Sequence, residues 1–160
     1  MKVYNPQSNF DTHKEIIGLV NTYRSSKNFN PQHYIETKAE LLNQYMLKFG
    51  LKSCVVAVSG GIDSALVLGL VHFASQQNNS PIQKIVALSL PVSHSNGATG
   101  QEEATARAKE LCKVFNIEHK TIELKIPHEI LEEHVSKTLN IESGDWALGQ
   151  LVAHTRTPTL

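Results

Sequence analysis

The segment that most constrains the fold is Ser-Gly-Gly-Ile-Asp-Ser at residues 59–64, which lies between two apolar stretches. The stretch before it, residues 54–58, is a short apolar run rich in valine, typical of a strand covered on both faces in a parallel sheet. The stretch after it, residues 64–73, has the length and apolar content of a buried helix. Because two adjacent glycines permit backbone conformations that other residues avoid, the segment predicts a tight turn between a strand and a helix.

The alternation of strand and helix continues beyond this turn. It predicts a strand at 84–90, a loop at 93–100, a helix at 101–115, a strand at 118–124, and helices at 128–139 and from about 146 onward. Strand-helix-strand crossovers are right-handed, so this order predicts an α/β fold with an open parallel sheet and helices on both faces. Ahead of the first strand, apolar residues at helical spacing predict two helices, the second ending at Gly50. We therefore expect an N-terminal helical segment at 1–50 and an α/β domain at 51–160.

Composition excludes several functional classes. The 15 Lys and Arg residues balance the 15 Asp and Glu residues, so no net charge is available to attract nucleic acid or anionic lipid. No apolar run approaches the roughly 20 residues that span a bilayer. Cys54 and Cys112 fall in a predicted strand and helix, and the N-terminus lacks the apolar core of a signal peptide. We expect a cytoplasmic protein that acts on small molecules and not on nucleic acid or membranes.

The residue types in the 59–64 segment are those of an anion-binding site. Gly60 and Gly61 let backbone N–H groups point at a ligand without an intervening Cβ. The hydroxyls of Ser59 and Ser64 add donors, and the positive end of the following helix dipole lies beside them. Asp63 fits such a site only if a cation accompanies the anion, so the segment predicts a polyphosphate with Mg²⁺. The alternative interpretation is a glycine turn with a Ser or Asp helix cap.

This hexapeptide is not a Walker loop, because the chain contains no G-x-x-x-x-G-K-[ST]. It resembles the Ser-Gly-Gly-x-Asp-Ser signature of the N-type ATP pyrophosphatases, which cleave ATP between its α- and β-phosphates to adenylate a substrate. Residues 87–91, with the loop and helix that follow them, resemble the corresponding part of NAD synthetases. Residues 149–157, Gly-Gln-Leu-Val-Ala-His-Thr-Arg-Thr, resemble the Gly-Asn-x-x-Ala-Arg-x-Arg-Met segment of that family. The chain departs from the family pattern at Ser89, Gln150, His154 and Thr157.

The resemblance, which spans residues 51–160, implies an ammonia-dependent NAD synthetase with an adenine nucleotide α-hydrolase-like fold. In the implied reaction the carboxylate of deamido-NAD attacks the α-phosphorus of ATP, pyrophosphate leaves into the Gly-rich loop, and ammonia converts the acyl-adenylate to NAD and AMP. A glutaminase domain does not fit in this length, so we expect free ammonia, or a separate subunit, to supply the nitrogen. A homodimer is also implied.

Site residues are carried over from the resemblance position by position. It implies that ATP binds to Ser59, Gly60, Gly61, Asp63, Ser64, Leu88, Ser89 and Gln101. It implies that deamido-NAD binds to Trp146, Gln150, His154 and Arg156. Asp63 is the implied Mg²⁺ ligand, and Asp63 and Arg156 are the implied catalytic residues. For Trp146 the structural alternative is a core position, and for Arg156 it is a solvated surface charge.

Other interpretations remain open. One is a different adenylating enzyme of the superfamily, either GMP synthetase-like or tRNA-modifying. Another is a non-catalytic nucleotide-binding module derived from such an enzyme. The family continues with a further strand and a Gly-Thr-Asp loop that are absent here, so we expect a chain that is truncated at its C-terminus and lacks synthetase activity alone. We expect it to pair with itself, or with a missing segment, through residues 146–160.

Overall fold

The computed structural model describes residues 8–92 and 101–160, with side chains from residue 14 onward; the loop predicted at 93–100 lies outside these residues. The helices are α1 (Ser8–Ser26), α2 (Pro31–Lys48), α3 (Ile62–Ser75), α4 (Gln101–Val114), α5 (Lys125–Leu139) and α6 (Asp145–Arg156). The strands are β1 (Ser53–Ala57), β2 (Lys84–Ser89) and β3 (Glu118–Thr121), and a short 3-10 helix at Thr157–Thr159 follows α6. No helix in the described part of the chain is long and apolar enough to cross a membrane.

The three strands form a parallel sheet in the order β1-β2-β3. In the register, Val56 of β1 pairs with Ala87 of β2, and Ala87 pairs with His119 of β3. Because all three strands run in the same direction, their carboxyl ends meet at one edge of the sheet. The loops that follow β1 and β2 therefore start side by side.

One face of the sheet carries the main core. Side chains alternate along a strand, so Val56 and Val58 point to the same face. That face packs against α3 and α4 in one buried cluster of Val56, Val58, Leu68, Val71, Ala87, Ala108 and Cys112. At the end of α4, Val114 is exposed and Phe115 packs against this cluster.

The second face of the sheet is covered over β2. Leu88 and Leu90 are buried there with Val92 and Leu124, and Val152 of α6 packs against them. The prediction of an α/β fold with helices on both faces is thereby confirmed.

The prediction that residues 54–58 are covered on both faces was wrong. Val55 is 53% exposed, and Ala57, on the same face, is also exposed. The reason is the strand order, since β1 lies at an edge of the described sheet and α6 packs over β2 beside it.

The chain divides into two compact units, Met1–Lys38 and Ala39–Leu160, and the division falls inside α2, upstream of the boundary expected at residue 51. In the second unit, Ala39 and Met46 of α2 are buried with Ala74 and Ile82. In the first unit the rings of Phe29 and Tyr34 pack with their centres 5.6 Å apart. The second half of α2 therefore belongs to the core of the α/β unit.

Candidate functional site

The Gly-rich loop, residues 59–64, connects β1 to α3, which starts at Ile62. Gly60 has a φ of +79°, a conformation that favours glycine. A Cβ at Gly60 would also lie 2.2 Å from the carbonyl oxygen of Ala104 in α4. Backbone conformation and close approach together require glycine here, so the predicted turn is in place.

The two serine hydroxyls of the loop hydrogen-bond within it. Ser64 Oγ donates to the carbonyl oxygen of Gly61 at 2.9 Å and accepts the N–H of Ser59 at 3.2 Å. Ser59 Oγ lies 3.1 Å from Ser64 Oγ and accepts the N–H of Gly61 at 3.4 Å. Because these bonds occupy the hydroxyls, they hold the turn in shape.

The start of α3 supplies further donors. No side chain caps this helix, and Ala65 N–H donates to the carbonyl of Gly61 at 3.1 Å. The N–H groups of the first helical turn ahead of Ala65 point out of the helix end, where they favour an anion. Arg107 of α4 adds positive charge beside them, with its Nε 3.4 Å from the carbonyl oxygen of Gly60. The sequence interpretation missed Arg107, because its closeness to the Gly-rich loop depends on how α4 packs against that loop.

Asp63 occupies the first turn of α3 and is exposed. Among the described residues, no three His, Cys, Asp or Glu side chains lie close enough together to hold a metal ion. Mg²⁺ is commonly held by one or two carboxylates together with the phosphates of a substrate. Asp63 beside an anion-binding helix end fits that mode and does not fit a site built from protein ligands alone.

A cleft of about 330 Å³ lies next to the Gly-rich loop at the carboxyl edge of the sheet, where open α/β sheets bind ligands. Its lining residues are Ala57, Val58, Ser59, Leu88, Ser89, Leu90, Pro91, Gln101, Ala104, Thr105, Val152 and Arg156. Five of the residues implied by the resemblance therefore meet in one place: Ser59, Leu88, Ser89, Gln101 and Arg156.

Ser89 is almost fully buried and joins the three strands. Its Oγ donates to the carbonyl oxygen of Val58 at 3.0 Å and lies 2.9 Å from Nε2 of His119. Since the single hydroxyl proton goes to Val58, His119 must donate from Nε2. Burial, and to a smaller extent the charge of Lys109, lowers the pKa of His119, which favours this neutral ring. No local sequence pattern indicates this contact, because it depends on the pairing of β2 with β3.

Arg156 lies in the wall of the cleft. Its Nε donates to the carbonyl oxygen of Leu90 at 2.9 Å, and its Nη2 donates to Oε1 of Gln101 at 3.3 Å. The same Oε1 accepts the N–H of Val92 at 2.8 Å. The guanidinium is thus anchored at the end of β2 and is not a solvated surface charge.

The other implied substrate residues lie elsewhere on α6. Trp146 is 78% exposed, and Gln150 and His154 are exposed as well. These three are spaced four residues apart and share one side of the helix, whereas Val152 and Arg156 lie on the side that lines the cleft. The structure does not bring Trp146, Gln150 and His154 to the cleft.

A parallel sheet with a Gly-rich loop and a cleft at its carboxyl edge places this chain among the α/β proteins with the adenine nucleotide α-hydrolase-like fold. The family model described as NAD synthase matches residues 34–160, which is most of the chain. The chain therefore belongs to the NAD synthase family.

Individual relatives agree with this assignment. The chain is 33% identical over 90 residues to the NH(3)-dependent NAD(+) synthetase of Wolinella succinogenes, covering 56% of this chain and 31% of that protein. The NH3-dependent NAD synthetase of Campylobacter jejuni superposes with a TM-score of 0.63 at 26% identity, covering 81% of this chain and 49% of that one. The NMN synthetase of Francisella tularensis superposes with a TM-score of 0.64 at 25% identity, covering 82% and 49%.

A further structure, the NAD+ synthetase of Burkholderia pseudomallei, has a TM-score of 0.65 at 21% identity and covers 82% of this chain and 56% of that one. This likeness supports the fold alone. The chain spans about a third of the length of the curated relative and about half that of the solved structures.

Proposed function

We propose that this chain takes part in the ATP-dependent amidation of deamido-NAD to NAD, with ammonia as the nitrogen donor and AMP and pyrophosphate as the other products. The observation that carries the proposal is the Gly-rich loop, which Gly60 holds against α4 beside the cleft in a chain of the NAD synthase family. Such a loop suits a departing pyrophosphate, because its donors are backbone amides at a helix end.

Some residues of the site are proposed to position the substrates, and others to neutralise negative charge. The loop, from Ser59 to Ser64, holds the β- and γ-phosphates through its amides. Asp63 would hold Mg²⁺, and the ion would supply positive charge beside the pyrophosphate. Arg156 faces the acyl and α-phosphate groups, where negative charge develops. Catalysis of this kind depends on fixed donors and positive charge and needs no side-chain nucleophile.

The adenosine half of ATP is proposed to occupy the cleft. Leu88, Leu90 and Val152 give that cleft an apolar wall that suits a purine ring. The hydroxyl of Ser89 already binds Val58 and His119. Ser89 is therefore proposed to shape the floor beneath the nucleotide, with its backbone and not its hydroxyl facing the ligand.

Trp146, Gln150 and His154 are proposed to contact deamido-NAD. Their support is the resemblance to NAD synthetases and the exposure of all three on one side of α6, where a ligand can reach them. We further propose that the chain forms a homodimer through residues 146–160, in which Trp146 and Leu160 expose 78% and 56% of their surface.

A second substrate is favoured by one observation. The NMN synthetase structure superposes as well as the NAD synthetases do, and Gln150 and His154 depart from the NAD synthetase pattern in the segment proposed to contact the substrate. The same adenylating chemistry on the deamidated form of NMN is therefore the second candidate.

Calorimetric titration tests the proposal directly. We expect Mg²⁺-ATP to bind the chain, and deamido-NAD to bind more tightly in its presence than the deamidated form of NMN. Mass spectrometry after incubation with ATP, Mg²⁺, ammonia and either deamido-NAD or the deamidated form of NMN then identifies which of the two compounds is amidated. Failure of the chain to bind Mg²⁺-ATP would contradict the proposed function.

The cytoplasm is the proposed location. Cys54 and Cys112 are both free thiols, and burial raises the pKa of each. Thiols that stay protonated and unpaired suit a reducing compartment.

A further inference from the structure

Gln101 lies where the end of β2, the start of α4 and the last turn of α6 meet. Its Oε1 accepts two hydrogen bonds, from the N–H of Val92 at 2.8 Å and from Nη2 of Arg156 at 3.3 Å. The resemblance implies a nucleotide ligand at this position. The contacts show a carbonyl oxygen that is already fully used within the protein, since its two lone pairs match two donors.

These contacts determine the orientation of the Arg156 guanidinium in the wall of the cleft. The group is planar, so two acceptors along one edge fix its orientation. Leu90 holds Nε at 2.9 Å, and Gln101 holds Nη2. Within the part of the chain that the structure describes, Nη1 donates to no acceptor, and both Arg156 and Gln101 line the cleft.

We propose that Gln101 is a positioning residue, which orients Arg156 so that its outer edge meets a phosphate or carboxylate group in the cleft. The inference rests on the proposed function, because it assigns the anion to the substrates of that reaction. Gln101 acts through Arg156 and does not itself contact the nucleotide.

A double-mutant cycle on the full chain distinguishes the two roles, with calorimetric affinity for Mg²⁺-ATP as the readout. Gln101→Leu should weaken binding by roughly tenfold, the loss typical of one hydrogen bond to a charged group. In an Arg156→Met background the same change should alter the affinity by less than about twofold, since contacting residues that act as a unit are not additive. Independent losses that multiply in the double variant would overturn the proposal. Gln44→Leu, on the exposed side of α2, is the matched control and should bind as the unaltered chain does.

A second measurement does not depend on ATP binding. The Nη2–H proton of Arg156 that Gln101 accepts should give a slowly exchanging NMR signal, identified by its loss in Arg156→Lys. Gln101→Glu keeps an acceptor for both donors and should preserve that slow exchange, while Gln101→Leu should accelerate it. Equal exchange rates in the unaltered chain, Gln101→Glu and Gln101→Leu would overturn the proposal. If the unaltered chain does not bind Mg²⁺-ATP, the proposed function fails, and the exchange rates still decide whether Gln101 orients Arg156.

Discussion

Gly60 and Gly61 are adjacent in the chain, yet the protein needs them for different reasons. At Gly60 a Cβ would collide with the backbone of Ala104, so this position is required by packing against α4. At Gly61 a Cβ would find Ser59 Oγ as its nearest neighbour at 3.5 Å, an ordinary contact. The space beside Gly61 is therefore available to a ligand as well as to a methyl group.

A pair of alanine variants separates these roles. Gly60→Ala should lower the free energy of unfolding by about 1–3 kcal/mol, because it combines a positive φ with a backbone clash. Gly61→Ala should melt near the temperature of the unaltered chain but bind Mg²⁺-ATP about tenfold more weakly, the equivalent of one lost charged hydrogen bond. Thermal melts and calorimetry measure both effects. A Gly61→Ala variant with full ATP affinity would show that phosphate does not lie against this amide.

The carboxylate of Asp63 should matter only when the metal is present. Asp63→Asn should weaken ATP binding by roughly tenfold with Mg²⁺ and should not weaken it without Mg²⁺, because a metal ligand is lost in the first case and a repelling charge in the second. The comparison needs the same titration in magnesium and in a chelator. Equal losses in the two conditions would assign Asp63 to the first turn of α3 as a structural residue.

The contact between His119 and Ser89 predicts a pH dependence of stability. The folded pKa of His119 is lowered by burial, so below about pH 6.5 the unfolded chain takes up a proton that the folded protein resists. The free energy of unfolding should therefore fall as the pH drops through 6.5 and level off below the folded pKa. His119→Gln, whose amide can also donate to Ser89, should reduce the difference in melting temperature between about pH 7.5 and about pH 5.5. If His119→Gln showed the same difference in melting temperature as the unaltered chain, the pH dependence would not come from His119.

At the scale of elements, the side chain of Asn43 in α2 forms hydrogen bonds with two other segments of the chain. Its Nδ2 donates to the carbonyl of Ala74 at the end of α3, and its Oδ1 accepts from Ser80 Oγ, both at 3.0 Å. This side chain of α2 is buried in the α/β unit, which explains why the unit boundary falls inside the helix. A periodicity argument places α2 correctly but cannot show which of its turns joins the core.

Removing the hydrogen bonds of Asn43 should destabilise the folded protein. Asn43→Ala should lower the free energy of unfolding by about 1–3 kcal/mol, since it removes the buried hydrogen bonds of Asn43 to the carbonyl of Ala74 and to Ser80 Oγ. Chemical denaturation measures the change. Gln44→Ala, one residue along and exposed, is the control and should fall within about 0.5 kcal/mol of the unaltered chain. Similar values for the two variants would show that the Asn43 hydrogen bonds contribute nothing net.

Tertiary packing decides which residues of α6 line the cleft and which do not. Val152 and Arg156 face the cleft, and Trp146, Gln150 and His154 face away from it. The resemblance to NAD synthetases assigns Trp146, Gln150, His154 and Arg156 to one substrate. Helical geometry separates them, because residues four apart share a side and residues two apart do not.

At the scale of the whole molecule, the exposed apolar side chains of Trp146 and Leu160 predict self-association through residues 146–160. Sedimentation at tens of micromolar should show a dimer, and Trp146→Glu should shift it toward monomer, because a charge would be buried without a partner. Leu19→Glu, in the separate N-terminal unit, is the control and should leave the dimer intact. A stable monomer of the unaltered chain would contradict the proposed homodimer.

The fold was largely predictable because its signals are local. The apolar run at 54–58, the glycine pair and the helical periodicities placed the strands and helices close to their observed bounds. The errors lie at the ends: the third strand stops at Thr121 and not at residue 124, and α5 begins at Lys125 and not at residue 128. Pro127, at the third helical position, is compatible with the earlier start, since no N–H in the first turn has an intrahelical acceptor.

The parallel α/β fold and the location of the Gly-rich loop follow from the amino-acid sequence, because glycine conformation and apolar periodicity act between residues that are close along the chain. The role of each site residue depends instead on tertiary packing. Gly60 meets Ala104, Ser89 meets His119, and Arg156 meets Gln101 only after the strands have paired and α4 and α6 have packed. Such contacts join residues up to 55 positions apart, and no local pattern specifies their partners.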